Sequence, residues 1–136
     1  MLSLTTKTQY GIASILDLAE HYGQGLVLMA DIVKRRKIPR TYLVQILNQL
    51  AKQGIVRATR GKNGGFELCE HPDRLTLLQT LEALEGSIEL SASAGIPALV
   101  DILAPIEEHI KQQLRVSISE VLQQEKQLSG QLMFQI

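Results

Sequence analysis

The chain has 136 residues, 45% hydrophobic and 21% charged, with a formal net charge of zero. That length supports one ordinary core, so one domain with an appended element is expected. One cysteine excludes an internal disulfide, the N-terminus lacks signal-peptide order, and no stretch is apolar enough to span a bilayer; the expectation is a cytoplasmic protein without membrane contact.

Helices come first. Tyr10, Ile12, Ala13, Ile15 and Leu16 recur at helical spacing, which predicts a helix from about Thr6 to Tyr22 with Thr5 or Thr6 as N-cap. "MADIVKRRK" predicts a short second helix with an apolar patch at Ile32 and Val33 and a cationic last turn, stopping before Pro39. A third helix is expected to open on Pro39 and end at Gly54. Leu43, Ile46, Leu47 and Leu50 form its apolar stripe, and Arg40, Thr41, Val44, Gln45 and Asn48 lie opposite. Two helices joined by a tight turn, the second polar on its outer face, follow the plan of a helix-turn-helix.

"IVRAT" and "FELC" are short β-leaning runs flanking "RGKNGG", so residues 55–69 predict a hairpin whose tip, with Gly61, Gly64 and Gly65, needs positive φ angles. No turn requires Arg60 or Lys62. Their place beside a polar third helix suggests a wing tip that meets nucleic acid, with Asn63 following Lys62, while the helix enters the major groove. Alternation turns Phe66 and Leu68 inward and leaves Cys69 beside Glu67 as a partly covered, inert thiol.

In the second half, Leu99, Leu103, Ile106, Ile110 and Leu114 recur at steps of three and four, an apolar stripe on one helix. Pro105 either kinks that helix or opens it. Ser117 and Glu120 make a capping box, predicting a further helix from about Ile118 to Lys126. The tail "QLMFQI" is too apolar for a free end and is expected to dock on its own or a second subunit.

Zero net charge hides an asymmetry. Residues 1–74 hold 11 Lys and Arg against 6 Asp and Glu, and residues 75–136 hold 3 against 8. Between residues 31 and 62, Lys34, Arg35, Arg36, Lys37, Arg40, Lys52, Arg57, Arg60 and Lys62 face only Asp31. One half suits a polyanion. A glycine-rich hairpin alone is usually just a turn, and a cationic run alone is usually a solvated helix end. It is the contiguous order of helix, turn, helix, hairpin and cations that favours DNA. His21, His71 and His109 lack metal-ligand spacing, and no catalytic constellation emerges, so an enzyme is not expected.

"LTTKTQYGIASILDLAEHYG", "IPRTYLVQILNQLAKQGIVRATRGKNGGFEL" and "LTLLQTLEALEG" resemble the first helix, recognition helix with wing, and fourth helix of the bacterial Rrf-two (BadM/IscR-type) winged-helix regulators. The resemblance is close over residues 1–86 and loose beyond. It implies a mainly α fold with a small β-hairpin, divided into a winged helix-turn-helix at 1–86, a connecting, sensor-equivalent segment at 87–104, and a dimerisation helix with tail at 105–136. It places Thr41 and Gln45 in the major groove, Arg60 at the minor groove, Tyr42 at backbone and Lys7 at phosphate, while Tyr10 could equally be core. Val44 departs from cluster-binding relatives, which carry an acidic residue there, so their base preference is not assumed for this chain.

The resemblance also implies a homodimer on an operator in double-stranded DNA, acting as a repressor under a small-molecule or protein effector. Relatives that hold an iron-sulfur cluster do so through three cysteines in the connecting segment. This chain reads "SIELSASAGIP" there, so no cluster is expected through that site. The other function weighed is a winged-helix adaptor whose basic face binds an acidic protein.

Overall fold

In a computed structural model that describes residues 3–135, with side chains described for 3–130, the first helix, α1 (Thr6–Glu20), begins at Thr5. Thr5 is extended, and its hydroxyl accepts a hydrogen bond from the Thr8 N–H at 3.1 Å, which satisfies one of the free donors of the first turn. The helix ends at Glu20, short of the expected Tyr22, because the chain turns away through Gly23 and Gly25 at φ 82° and 97°.

Helix α2 (Met29–Arg36) closes on Lys37, the one non-glycine residue with positive φ among those described. This left-handed residue turns the chain so that Ile38 enters the core and Pro39 becomes the N-cap of α3 (Arg40–Lys52). The third helix thus starts one residue later than expected, since Pro39 stays extended. It stops at Gly54, whose φ of 76° lets the Gly54 N–H reach Ala51 O and the Ile55 N–H reach Leu50 O. That pair of bonds is a Schellman motif.

Strands β1 (Val56–Thr59) and β2 (Gly65–Leu68) pair antiparallel, from Val56 opposite Leu68 to Thr59 opposite Gly65. On the other edge of β2, Val27 and Phe66 exchange two backbone hydrogen bonds of 2.8 Å, which ties the hairpin to the segment before α2. Helix α4 (Leu77–Glu85) opens on a capping box between Thr76 and Gln79. The core is built from Ile15 and Leu18 of α1, Ile32, Ile38, the predicted stripe Leu43, Ile46, Leu47 and Leu50, Val56 and Leu68 of the hairpin, and Ile118.

The C-terminal half departs from expectation in three ways. Helix α5 (Pro97–Leu114) starts with Pro97 in its first turn and runs through Pro105, so the boundary drawn at residues 104 and 105 falls inside one helix. Helix α6 (Ile118–Gln135) forms the expected Ser117–Glu120 capping box but continues past Lys126. It lies along α1 of its own chain and contributes the fully buried Ile118 to the core, so the start of this helix packs within its own chain. The side chains of "QLMFQI" lie outside the described residues, and so does the docking expected of them.

Glu85 joins the two ends of the winged helix. Its carboxylate accepts hydrogen bonds from the Thr8 hydroxyl at 2.6 Å and from the Thr5 N–H and hydroxyl at 3.3 and 3.2 Å, at the positive end of the α1 dipole. The Thr8 hydroxyl, then the Thr5 N–H, hold this carboxyl below its ordinary value. A depressed folded value gives stabilisation that is complete above the unfolded value, about 4.3 for a glutamate, and is lost as pH falls through the folded one. Glu85→Gln is therefore expected to flatten the urea midpoint's dependence on pH below about 4.3. An unchanged acid limb would show that the cluster does not contribute.

Candidate nucleic-acid interface

The stripe of α3 that packs inward dictates what points outward. With Leu43, Ile46, Leu47 and Leu50 buried, Arg40, Thr41, Tyr42, Val44, Gln45 and Asn48 are all exposed. The Tyr42 ring meets Tyr10 at 5.5 Å, tilted by 57°, which fixes one end of this face against α1. Tyr10 itself is half-buried against the core.

Lys7 is less free than expected. Half-buried, its ammonium donates to Gln49 Oε1 at 3.0 Å, while Gln49 Nε2 donates to the Ala83 and Leu84 carbonyls at the end of α4. This chain of bonds locks α1, α3 and α4 together behind the exposed face, and a phosphate would have to compete with Gln49 for Lys7.

At the wing, Arg60, Lys62 and Asn63 stand exposed at the tip. Of the three hairpin glycines only Gly61, at φ 109°, needs a left-handed backbone. Gly64 and Gly65 were expected to share that need and do not; they are required for space. A Cβ on Gly64 would overlap the Thr59 carbonyl oxygen, and one on Gly65 would stand 2.8 Å from the Val27 carbonyl oxygen. Gly64→Val is thus expected to force the wing open, costing about 1–3 kcal/mol as an overpacked site while helical circular dichroism stays unchanged. Loss of the helical signal would show that the wing is not a separable element.

The cationic run at the end of α2 divides. Asp17 of α1, 1% exposed, accepts two hydrogen bonds of 2.9 Å from Arg35, and Arg36 approaches it at 3.8 Å. Arg36 also pairs with Glu125 of α6 at 2.8 Å and with Glu20 at 3.9 Å, and Lys126 reaches Glu20 at 3.6 Å. Two of the cations counted toward a polyanion surface are therefore structural. On β1, Arg57 faces its cross-strand partner Glu67 at 3.3 Å, an exposed pair worth little. Lys34, Lys37, Arg40, Lys52, Arg60 and Lys62 remain exposed. The Asp17 hub has no local signature, because a carboxylate on a helix is ordinary until its burial is known.

Helix α5 is apolar on a face that its own chain leaves uncovered. None of its residues is buried, and Leu99, Ile102 and Ile106 are 41%, 59% and 47% exposed. Of the expected stripe, Leu103, Ile110 and Leu114 are half-buried. Ile102 escaped the sequence pattern although it sits three residues after Leu99 and four before Ile106.

The segment joining α4 to α5 does not suit a thiolate-held cluster. Its polar side chains are Ser87, Glu89, Ser91 and Ser93, and Cys69 sits exposed just past β2, not partly covered as its strand position suggested. From α5, the Glu107 carboxylate accepts hydrogen bonds from the Leu90 and Ser91 N–H groups, which hold it below its ordinary value. Among the described residues no group of three or more His, Cys, Asp and Glu side chains could hold a metal ion, and no helix is long and apolar enough to cross a membrane.

Known proteins share this architecture. A family model described as Rrf2, iron-dependent transcriptional regulator, matches residues 4–129. Over 88 residues, 65% of this chain and 60% of the other, the chain is 42% identical to slr0846 of Synechocystis, provisionally named as an HTH-type transcriptional regulator. Over 94 residues it is 34% identical to the HTH-type transcriptional regulator IscR of Aliivibrio salmonicida, covering 69% of this chain and 56% of that one. The chain thus spans little more than half the length of these curated relatives. Among solved structures, CymR (YrzC), the global cysteine regulator of B. subtilis, superposes with a TM-score of 0.77 at 28% identity, over 90% of this chain and 98% of that one. IscR of T. potens has a TM-score of 0.75 at 27% identity, over 91% and 88%. With helix, turn, helix and wing in the predicted order and a family model spanning nearly all of it, the chain belongs to the Rrf2 family of winged helix-turn-helix transcriptional regulators.

Proposed function

We propose that this chain is a homodimeric repressor that binds a palindromic operator in double-stranded DNA and works without an iron-sulfur cluster. The observation that carries the DNA reading is the outward face of α3 beside the wing: Arg40, Thr41, Gln45, Asn48, Arg60 and Lys62 are exposed, whereas the cations behind them are tied to carboxylates. Thr41 and Gln45 take the base edges, Arg60, Lys62 and Asn63 the wing's groove and phosphates, and Tyr42 the sugar-phosphate backbone. That its relatives are HTH-type transcriptional regulators supports the DNA-binding reading. Pairing through the apolar face of α5 gives two such surfaces, and an effector, small molecule or protein, would act on their spacing. A cytoplasmic location follows from the role.

A gel shift titrated with salt against random-duplex competitor tests it. If a dimer neutralises about 6–10 phosphates, affinity falls by about three to five decades between 50 and 200 mM salt, with retention of specific sequence. Retention without sequence preference, matched by an acidic protein partner, would favour an adaptor. Gln45→Ala is expected to cost about 1–3 kcal/mol at one base position and nothing elsewhere. Equal binding of all operator variants by both proteins would remove Gln45 from the reading face.

A further inference from the structure

Among the side chains of the outward face of α3, Val44 alone lacks a hydrogen-bonding atom. It is 39% exposed, with Arg40 and Thr41 one turn before it, Asn48 one turn after and Gln45 beside it. Neither the core nor helix propensity accounts for it: the buried stripe is complete in Leu43, Ile46, Leu47 and Leu50, and a β-branched residue on an exposed helix position is less favourable than most alternatives.

We propose that Val44 makes the helix specific for thymine, its isopropyl group packing on the C5-methyl of one A·T pair in each half-site. The inference rests on the DNA-binding function proposed above. At the centre of the face, Val44 meets the groove floor whenever its neighbours do. A base edge pressed against it loses water and gains no hydrogen bond, which penalises guanine N7 and O6 and cytosine N4. The thymine methyl is the apolar element that the major groove offers, and contact with it carries no such penalty. Gln45 and Asn48 flank Val44 with amides that suit the N6 and N7 edge of adenine. The chemical class of the half-site core is therefore a run of A·T pairs, with a thymine at the position Val44 covers.

The test starts from sites that the full-length protein selects out of a random duplex pool. Each thymine is then replaced singly by deoxyuridine, which lacks only the methyl group, and affinities are measured for the parent and for Val44→Ala. One position per half-site is expected to lose about fourfold in the parent, the factor that burial of one methyl group carries, and to lose nothing further in Val44→Ala. Parent protein that binds every deoxyuridine duplex as it binds thymine overturns the inference and leaves the proposed function standing. So does a methyl dependence that persists undiminished in Val44→Ala. Selection that enriches no sequence overturns both.

Discussion

Ile106→Glu is expected to turn the proposed dimer, about twice 15.1 kDa, into a monomer and to weaken operator binding by about 10²–10⁴-fold. Ile106 is 47% exposed on a helix with no buried residue, so a carboxylate there meets water in the monomer and should leave the fold intact. In a symmetric pairing through α5 the substitution enters the interface twice, once from each subunit, and two carboxylates are placed in an apolar contact. The affinity loss follows from arithmetic, since the second half-site is no longer captured at the high effective concentration that a dimer provides. Sedimentation equilibrium and a gel shift read the two effects separately. A monomeric variant with parental affinity would refute cooperation between half-sites, and a variant that stays dimeric would move the interface off α5.

Arg35→Ala is expected to destabilise the fold by about 3 kcal/mol, the lower end of the range for removing one partner of a buried ion pair. Asp17 is 1% exposed, so losing its bidentate partner strands a charge in the core. The lower end applies because Arg35 is itself 39% exposed, which solvent screening discounts, and because Arg36 stays within 3.8 Å. The loss is a sizeable share of a typical domain's stability. A second variant separates stranded charge from lost packing: Asp17→Leu combined with Arg35→Ala should recover much of the deficit, because no unpaired carboxylate remains. Urea denaturation of the parent, both single variants and the double variant checks this. Strict additivity of the single substitutions would show that Asp17 and Arg35 do not interact.

Much of the winged helix was legible because its signals are local. The α3 stripe obeys helical period, Gly54 marks a C-terminus, and Arg60 and Lys62 sit where no turn needs a charge. What escaped depends on tertiary partners. Asp17 reads as a surface residue until α2 folds over it, and Arg35 and Arg36 read as free cations until Asp17, Glu20 and Glu125 are placed. Gly64 and Gly65 carried the right identity for the wrong reason, since crowding by the Thr59 and Val27 carbonyls is invisible to turn rules. The extent of α6 is not legible because none of residues 127–130 is buried, so no periodic apolar stripe marks the helix beyond Lys126. The resemblance matches Lys7 to a phosphate-facing position, and its hydrogen bond to Gln49 comes from a residue too far away in sequence to be anticipated.

Hydroxyl-radical footprinting of the full-length protein on a selected duplex tests the central claim most directly. Two α3 helices carried by one α5 pairing should protect two symmetric half-sites, their centres separated by about 10 base pairs or a whole multiple of it, on one face of the double helix. A single protected site, or uniform protection that follows no sequence, would contradict the account.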